Sequence, residues 1–243
     1  MNEILKLSGI FKRFGSLLAI DNLSMTLNDG EALGVIGPNG SGKTTIFNIL
    51  TGIIDADQGQ VFFQGAEITR LRAFERCRRG MARSFQIPNA FAGMSVFENL
   101  LVGAVFGDGK PERTVYSRCA RILEETGLLA KSNVRAGRLT LLDRKRLELA
   151  RALSTNPRVL LLDEIAGGLT EQECRILIEQ ITRIRERGVS IIWIEHVVHA
   201  LLAVVDRLIV INFGKKIDDG EPQTVMASGA VKDIYLGPEE DGI

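Results

Sequence analysis

Disulfides, membrane spans and a net charge are all missing from this sequence, and each absence removes a class of protein. Only three cysteines occur in 243 residues, Cys77, Cys119 and Cys174. They lie far apart and form no CxxC pair, which argues against a disulfide framework or thiolate metal site and suits a reducing cytosol. No apolar run approaches the roughly 18 residues that a membrane span needs; the longest candidate, Val197 to Val205, is interrupted by His199 and stopped by Asp206. The opening Met1-Asn2-Glu3-Ile4-Leu5-Lys6 puts charge where a signal peptide needs an apolar core. The chain is therefore expected to be neither secreted nor membrane-spanning by itself. Thirty basic and thirty acidic side chains cancel, leaving no global field to gather nucleic acid. The one basic cluster, six arginines between Arg70 and Arg83, is partly offset by Glu67 and Glu75, so no nucleic-acid partner is expected.

What is present is an ordinary globular composition, 45% hydrophobic and 25% charged, at a length where roughly 70–75% of the unfolded surface can be buried. One large domain, or a domain with an insertion, needs no staples. Two β-like segments open the chain, Glu3 to Phe11 and Leu17 to Leu27, joined by Phe14-Gly15-Ser16 and closed by Asn28-Asp29-Gly30. Glu31 to Ile36 reads as a buried strand running into a Gly-rich loop, and Thr44 to Leu50 as a helix stopped by Gly52. Val159 to Leu162 and Ser190 to Ile194 are short apolar runs ending in acid, with a helical stretch Glu171 to Arg187 between them. Such runs suit parallel strands covered on both faces. From Pro88 to Asn156 no strand is evident, and helices are expected over Val96 to Val105, Glu112 to Thr126 and Arg144 to Ser154. The reading is one domain over 1–243: an α/β core with an antiparallel β subdomain (1–87 and 157–243) and a helical insertion (88–156). After His196 follow a helix, the strand Arg207 to Asn212, a tight turn, another strand and a polar C-terminus.

Gly37-Pro38-Asn39-Gly40-Ser41-Gly42-Lys43-Thr44 matches the P-loop pattern, in which backbone N–H groups and a helix N-terminus surround a phosphate chain. Lys43 is expected at the β- and γ-phosphates, Thr44 on Mg²⁺ and Thr45 on a phosphate. Asp163, at the end of a neighbouring strand, would hold Mg²⁺ through water. Glu164 stands where a carboxylate polarises an attacking water; the alternative is that both acids merely end a strand. His196 follows the other buried run and faces the same choice, a γ-phosphate contact or a structural histidine. His199 makes an i, i+3 pair with it, but no third ligand of suitable spacing is near, and it is read as structural.

The order Phe14, P-loop 37–44, Gln86 after Ser84-Phe85, then a helix beginning near Leu139 with Arg146-Leu147-Glu148-Leu149-Ala150-Arg151-Ala152-Leu153, then Leu161-Leu162-Asp163-Glu164 and Ile194-Glu195-His196, resembles the ATP-binding subunit of an ABC transporter over essentially the whole chain. The resemblance implies ATP and Mg²⁺ as ligands and a P-loop NTPase core. Phe14 would stack on adenine, unless it is a core residue of the first hairpin. Gln86 would link Mg²⁺ and the water to the transmembrane partner, and His196 would be the switch histidine. It also implies a dimer with a second ATP-binding subunit on two transmembrane permease subunits, at the inner face of the cell membrane. A periplasmic or surface solute-binding protein would be an indirect partner. Ala82-Arg83-Ser84-Phe85-Gln86, Phe91, Met94 to Leu100 and Tyr235-Leu236-Gly237 are similar to the ATP-binding subunits of bacterial high-affinity branched-chain amino acid importers. Importers of urea or other small solutes and lipopolysaccharide exporter ATPases share parts of this pattern. A non-hydrolysing regulatory subunit is the alternative from another class.

The chain departs from the family at the signature, usually Leu-Ser-Gly-Gly-Gln, where Leu139-Thr140-Leu141-Leu142-Asp143 stands. Leu141 and Leu142 replace glycines that allow close approach, and Asp143 is expected to add negative charge near a phosphate. Thr140 with Asp143 resembles a capping box that still starts the helix. Ile165 stands where proline is usual, and Thr170 where aspartate is usual. These departures favour a heterodimer over a homodimer, because the chain's own P-loop, Asp163, Glu164 and His196 are intact.

Overall fold

Strand alternation builds the first layer of the computed structural model, which describes residues 2–236. β1 (Glu3–Phe14) and β2 (Leu17–Asn28) form an antiparallel hairpin, and β4 (Gln58–Phe63) and β5 (Ala66–Glu67) extend it in the order β2-β1-β4-β5. Leu23, Met25 and Leu27 lie two apart on β2 and are all buried, as one inward face of a pleated strand requires.

The second sheet has the order β10-β9-β3-β8-β7-β6. β3 (Ala32–Ile36), β7 (Val159–Asp163) and β8 (Ser190–Ile194) are buried at every position, the pattern of parallel strands covered on both faces. β6 (Met81–Arg83), a short strand that no sequence signal marks, pairs in parallel with β7 at the edge. β9 (Arg207–Asn212) is parallel to β3, and β10 (Lys215–Gly220) returns antiparallel. The sheet separates two cores. Leu33, Val35, Leu161 and Ile192 join the antiparallel sheet and α1 (Lys43–Thr51), whereas Leu160, Leu162, Ile191 and Trp193 join the helical side.

On that side α5 (Leu141–Ser154), α6 (Glu171–Glu186) and α7 (Val198–Leu202) cover the sheet, with α3 (Val96–Val102) and α4 (Glu112–Glu125) beyond them. One expected boundary moves. The helix from Val96 ends at Val102 and continues as a π turn, Gly103–Gly107, because the chain there runs against the end of α5. A Cβ on Gly103 would sit 2.2 Å from Ser154 Oγ. α5 begins at Leu141 with Thr140 as its cap, close to the start near Leu139 that the signature stretch suggests and one turn ahead of the periodic stretch from Arg144. The polar C-terminus contains two further helices, α8 (Pro222–Ala227) and α9 (Gly229–Leu236), the first capped by Glu221 through the N–H groups of Gln223 and Thr224. Gly237 of the Tyr-Leu-Gly stretch lies outside the described residues. No helix among them is long and apolar enough to cross a membrane.

Two members of the arginine cluster are internal. Arg76, on α2 (Ala73–Arg78), is buried, and its guanidinium donates to the carbonyls of Ile49, Leu50, Thr69 and Leu71. It thereby places a cation on the last-turn carbonyls of α1, the negative end of the helix dipole.

Candidate nucleotide site

The loop from β3 into α1 forms a cradle that side chains would fill. A Cβ on Gly37 would lie 2.0 Å from the Ile211 carbonyl oxygen, and one on Gly42, at φ +109°, 2.7 Å from that of Ala19. Around it an open cleft of about 290 Å³ is lined by Phe14, Asn39 to Thr45, Glu164 and Phe213, among others. Lys43 is buried, and its Nζ donates to the Gly37 and Pro38 carbonyls at 2.7 and 2.9 Å. Burial lowers its pKa, a shift that Glu164 and Asp163 oppose. The Ser41 hydroxyl is buried without a partner among the described residues. A dry cation and an unpaired donor beside open N–H groups fit a polyphosphate.

The end of β7 supplies the carboxylates. Asp163 is buried and paired with Arg83. Glu164 takes φ +46°, a left-handed conformation that costs a non-glycine residue about 1–3 kcal/mol. Its N–H donates to the Ile194 carbonyl at 2.9 Å, which fastens the turn to β8. Its carboxylate is held from two directions: Gln86 Nε2 donates to Oε2, and His196 Nε2 lies 2.8 Å from Oε1. Gln86, Glu164 and His196 are thus brought together from three separate stretches of the sequence. Phe14 is not a core residue; it ends β1 half-exposed and lines the cleft. His199 is exposed on α7, so it is not packed inside, and no metal-holding cluster of His, Cys, Asp and Glu occurs among the described residues.

Three contributors escaped sequence reading. Arg83 had no mark beyond its place before Ser84-Phe85-Gln86. Phe213, at φ +46° in the β9–β10 turn, lines the cleft with its ring exposed, and a large apolar residue in a turn carries no motif. Glu195 is buried and accepts from the N–H groups of Ala166, His196 and Val197, pinning the loops after β7 and β8 to each other; burial raises its pKa. Its signal was the acid that ends a buried run.

The altered signature differs from expectation in one respect. Asp143 does not face outward: it is buried, its carboxylate contacts Lys131 and Thr140 Oγ1, and Arg146 lies 3.6 Å away. Being in the first turn of α5, it turns back onto the positive helix end of its own chain. Leu141 is 50% exposed. Thr170 caps α6 in a box with Glu173, a task that aspartate performs equally well. Ile165 is buried, and its carbonyl accepts from the buried Lys145.

The loop from Gln86 to Ser95 exposes Ile87, Phe91 and Met94. It is nevertheless fixed. Asn99, fully buried, accepts from the Phe91 N–H and donates to the carbonyls of Phe91 and Ser95, while Arg151 donates to the Asn89 carbonyl.

Residues 20–167 match the profile of the ABC transporter family. The chain is 36% identical to the high-affinity branched-chain amino acid transport ATP-binding protein BraF of Pseudomonas aeruginosa, over 96% of this chain and 98% of that one. It is 34% identical to LivG of Escherichia coli K12, which carries the same description, with the same coverage. Among solved structures, the ADP conformation of MJ1267, an ATP-binding cassette of an ABC transporter, superposes with a TM-score of 0.89 at 32% identity, covering 98% of this chain and all of that one. The P-loop cradle, the α/β core and these likenesses over nearly the full length agree, and the chain belongs to the ABC transporter family as one of its ATP-hydrolysing cassettes.

Proposed function

We propose that this chain hydrolyses ATP to energise import of branched-chain amino acids, working on the cytoplasmic face of the cell membrane with two permease subunits and a second ATP-binding subunit. A periplasmic or surface binding protein delivers the solute. The observation that carries the reading is the Glu164 carboxylate, held between Gln86 and His196 at a cleft that ends on the P-loop. Phe14 supplies an aromatic face for adenine, Gly37 to Gly42 with Thr45 cradle the phosphates, and Lys43 neutralises their charge. Glu164 accepts a proton as a water attacks the γ-phosphorus. The new P–O bond replaces the bond to the β-phosphate oxygen, and ADP and phosphate leave. His196 orients Glu164 and supports the transferring group. Mg²⁺ would be held by Thr44, Asp163 and Gln86 and would supply positive charge against the phosphate oxygens.

With 1–87 and 157–243 as core and 88–156 as helical insertion, the loop from Gln86 to Ser95 lies at the seam and is the docking loop of this reading. Its exposed Ile87, Phe91 and Met94 contact the permease. Support for a heterodimer over a homodimer comes from α5, where the chain's own Asp143 stands at the positive end.

The test is a reconstituted transporter. Leucine supplied with the binding protein should stimulate ATP turnover, and Glu164→Gln should abolish the stimulated part. A complex whose turnover ignores leucine, isoleucine and valine would overturn the substrate; unchanged turnover in the variant would overturn the role of Glu164. A cysteine at Phe91 should cross-link to a cytosolic helix of the permease, and efficient cross-links only from the opposite face would refute the docking loop.

A further inference from the structure

Arg83 ends β6 and carries its guanidinium across to the end of β7. Nη2 donates to Asp163 Oδ2 at 2.5 Å and Nη1 to Asn48 Oδ1 at 2.7 Å. Both side chains of the ion pair are only 5% exposed. The guanidinium also lies over two rings, 5.4 Å from the centroid of Phe47 and 5.0 Å from that of Phe85. Asn48 and Phe47 belong to α1, the helix that follows the P-loop, so one side chain ties together the edge strand, the phosphate-loop helix and the acid at the end of β7.

Stability alone is a poor reason for this arrangement. A dry ion pair is often matched or bettered by apolar packing, and here Arg83 Nε is buried with no partner among the described residues. What the guanidinium does supply is direction. Its planar fork fixes Oδ2 of Asp163 and leaves Oδ1 without a hydrogen bond among the described residues. We infer that Arg83 is a positioning residue for the metal site, holding Asp163 in the orientation that receives Mg²⁺ and acting only through that carboxylate. The inference rests on the reading of Asp163 as the metal's carboxylate. Outer partners of this kind typically govern metal affinity by about 10–100-fold. Phe85 covers the guanidinium from the groove that also contains Cys77, Val102 and Arg151, so Asp163 is braced from the side on which the helical insertion packs.

The test titrates Mg²⁺ into the full-length protein with a fluorescent ATP analogue bound, and compares binding of the same analogue in EDTA. Arg83→Met should raise the Mg²⁺ concentration for half-saturation about tenfold or more, leaving affinity in EDTA within about twofold. Arg83→Lys, which keeps the charge but loses the fork, should give an intermediate rise. Phe85→Leu leaves the ion pair but removes one stacking face, and should give about a two- to fivefold rise; it carries the test if Arg83→Met does not fold. Asp163→Asn is the control. If it abolishes the Mg²⁺ dependence while the folded Arg83 and Phe85 variants leave it unchanged, Arg83 is not a positioning residue and the reading of Asp163 stands. If Asp163→Asn itself leaves the dependence unchanged, the metal assignment fails and this inference with it.

Discussion

Two helix N-termini in this protein are provisioned in opposite ways. α1 begins without any side-chain cap and has no acidic residue in its first turn. α5 begins with Thr140 accepting from the Asp143 N–H and with the Asp143 carboxylate turned onto its own first turn. Both ends present unpaired N–H groups and the positive pole of a helix dipole. At α1 that capacity is left open to an anion from outside; at α5 one N–H is capped by Thr140 and a carboxylate of the chain itself already stands at the positive end. The heterodimer proposed above rests on this contrast: a chain that owns a nucleotide at α1 and offers a weaker opposing surface at α5.

The largest effect that would break this contrast concerns Glu164. Glu164→Gln should lower turnover by on the order of a hundredfold or more while ATP affinity stays within a few-fold, since the role proposed for it is with water and not with nucleotide. In a heterodimer whose partner has a Ser-Gly-Gly signature, the matching glutamate change in that partner should cost much less. Equal losses from the two single variants, read by phosphate release, would show both composite sites to be equivalent and remove the contrast. The same comparison can be inverted. Replacing Thr140-Leu141-Leu142-Asp143 with Ser-Gly-Gly-Gln should raise turnover of the chain paired with itself on the order of a hundredfold, the scale of a restored backbone donor at a transition state. Brisk turnover by the unaltered homodimer would show that Thr140 and local N–H groups suffice.

The two regions also differ in how readily the sequence discloses them. The P-loop is legible because it is local: a buried strand, a spaced run of glycines and an amphipathic helix occupy one continuous stretch, and Gly52 stops the helix at φ +71° as its position suggests. The clasp of Gln86 and His196 on Glu164 joins residues up to 110 positions apart, by subtraction of their numbers. The strand-end positions of Glu164 and His196 point them toward the γ-phosphate, with structural roles as the alternative, whereas Gln86 is brought in only by the family resemblance. The ion pair of Arg83 was invisible for a related reason. It depends on β6, three residues long and recognisable only by its pairing with β7. At α5 the capping hydroxyl was readable, but the inward turn of Asp143 depends on Lys131, which lies on a 3₁₀ turn with no periodic pattern to place it.

A smaller effect tests whether the α5 cap is structural. Thr140→Ala removes the oxygen that accepts from the Asp143 N–H at 3.3 Å, a loss of about 0.5–2 kcal/mol for an N-cap. Urea denaturation of the full chain should report a loss within that range. Nucleotide binding to the chain's own P-loop should not change, because α1 owes nothing to this cap. A fall in ATP affinity comparable to the fall in stability would mean that the two helix ends are not independent.

The smallest effect lies in the middle of α5 and is a matter of pH. Glu148 is buried beneath the loop from Gln86 to Ser95, accepts from the Asn89 N–H and pairs with Arg151 at 3.0 Å. Burial raises its pKa above the ordinary carboxyl value, with Arg151 and the Asn89 N–H opposing the shift. The folded state therefore holds this proton more tightly than the unfolded chain does. Stability from that preference is fully present below the ordinary carboxylate range and is lost as pH rises through the raised folded value. Glu148→Gln keeps an oxygen for Asn89 but cannot ionise, so the stability of the parent relative to the variant should decline from about pH 4 to about pH 8. The two acids of α5 then contrast in kind: Asp143, in its first turn, has its charge matched by Lys131 and Arg146, whereas Glu148, at its middle, is a buried charge that has only Arg151 as an ionic partner among the described residues. A parent that instead gains on the variant as pH rises, in paired urea melts at the two pH values, would mean that the Arg151 pair outweighs burial and that the shift runs the other way.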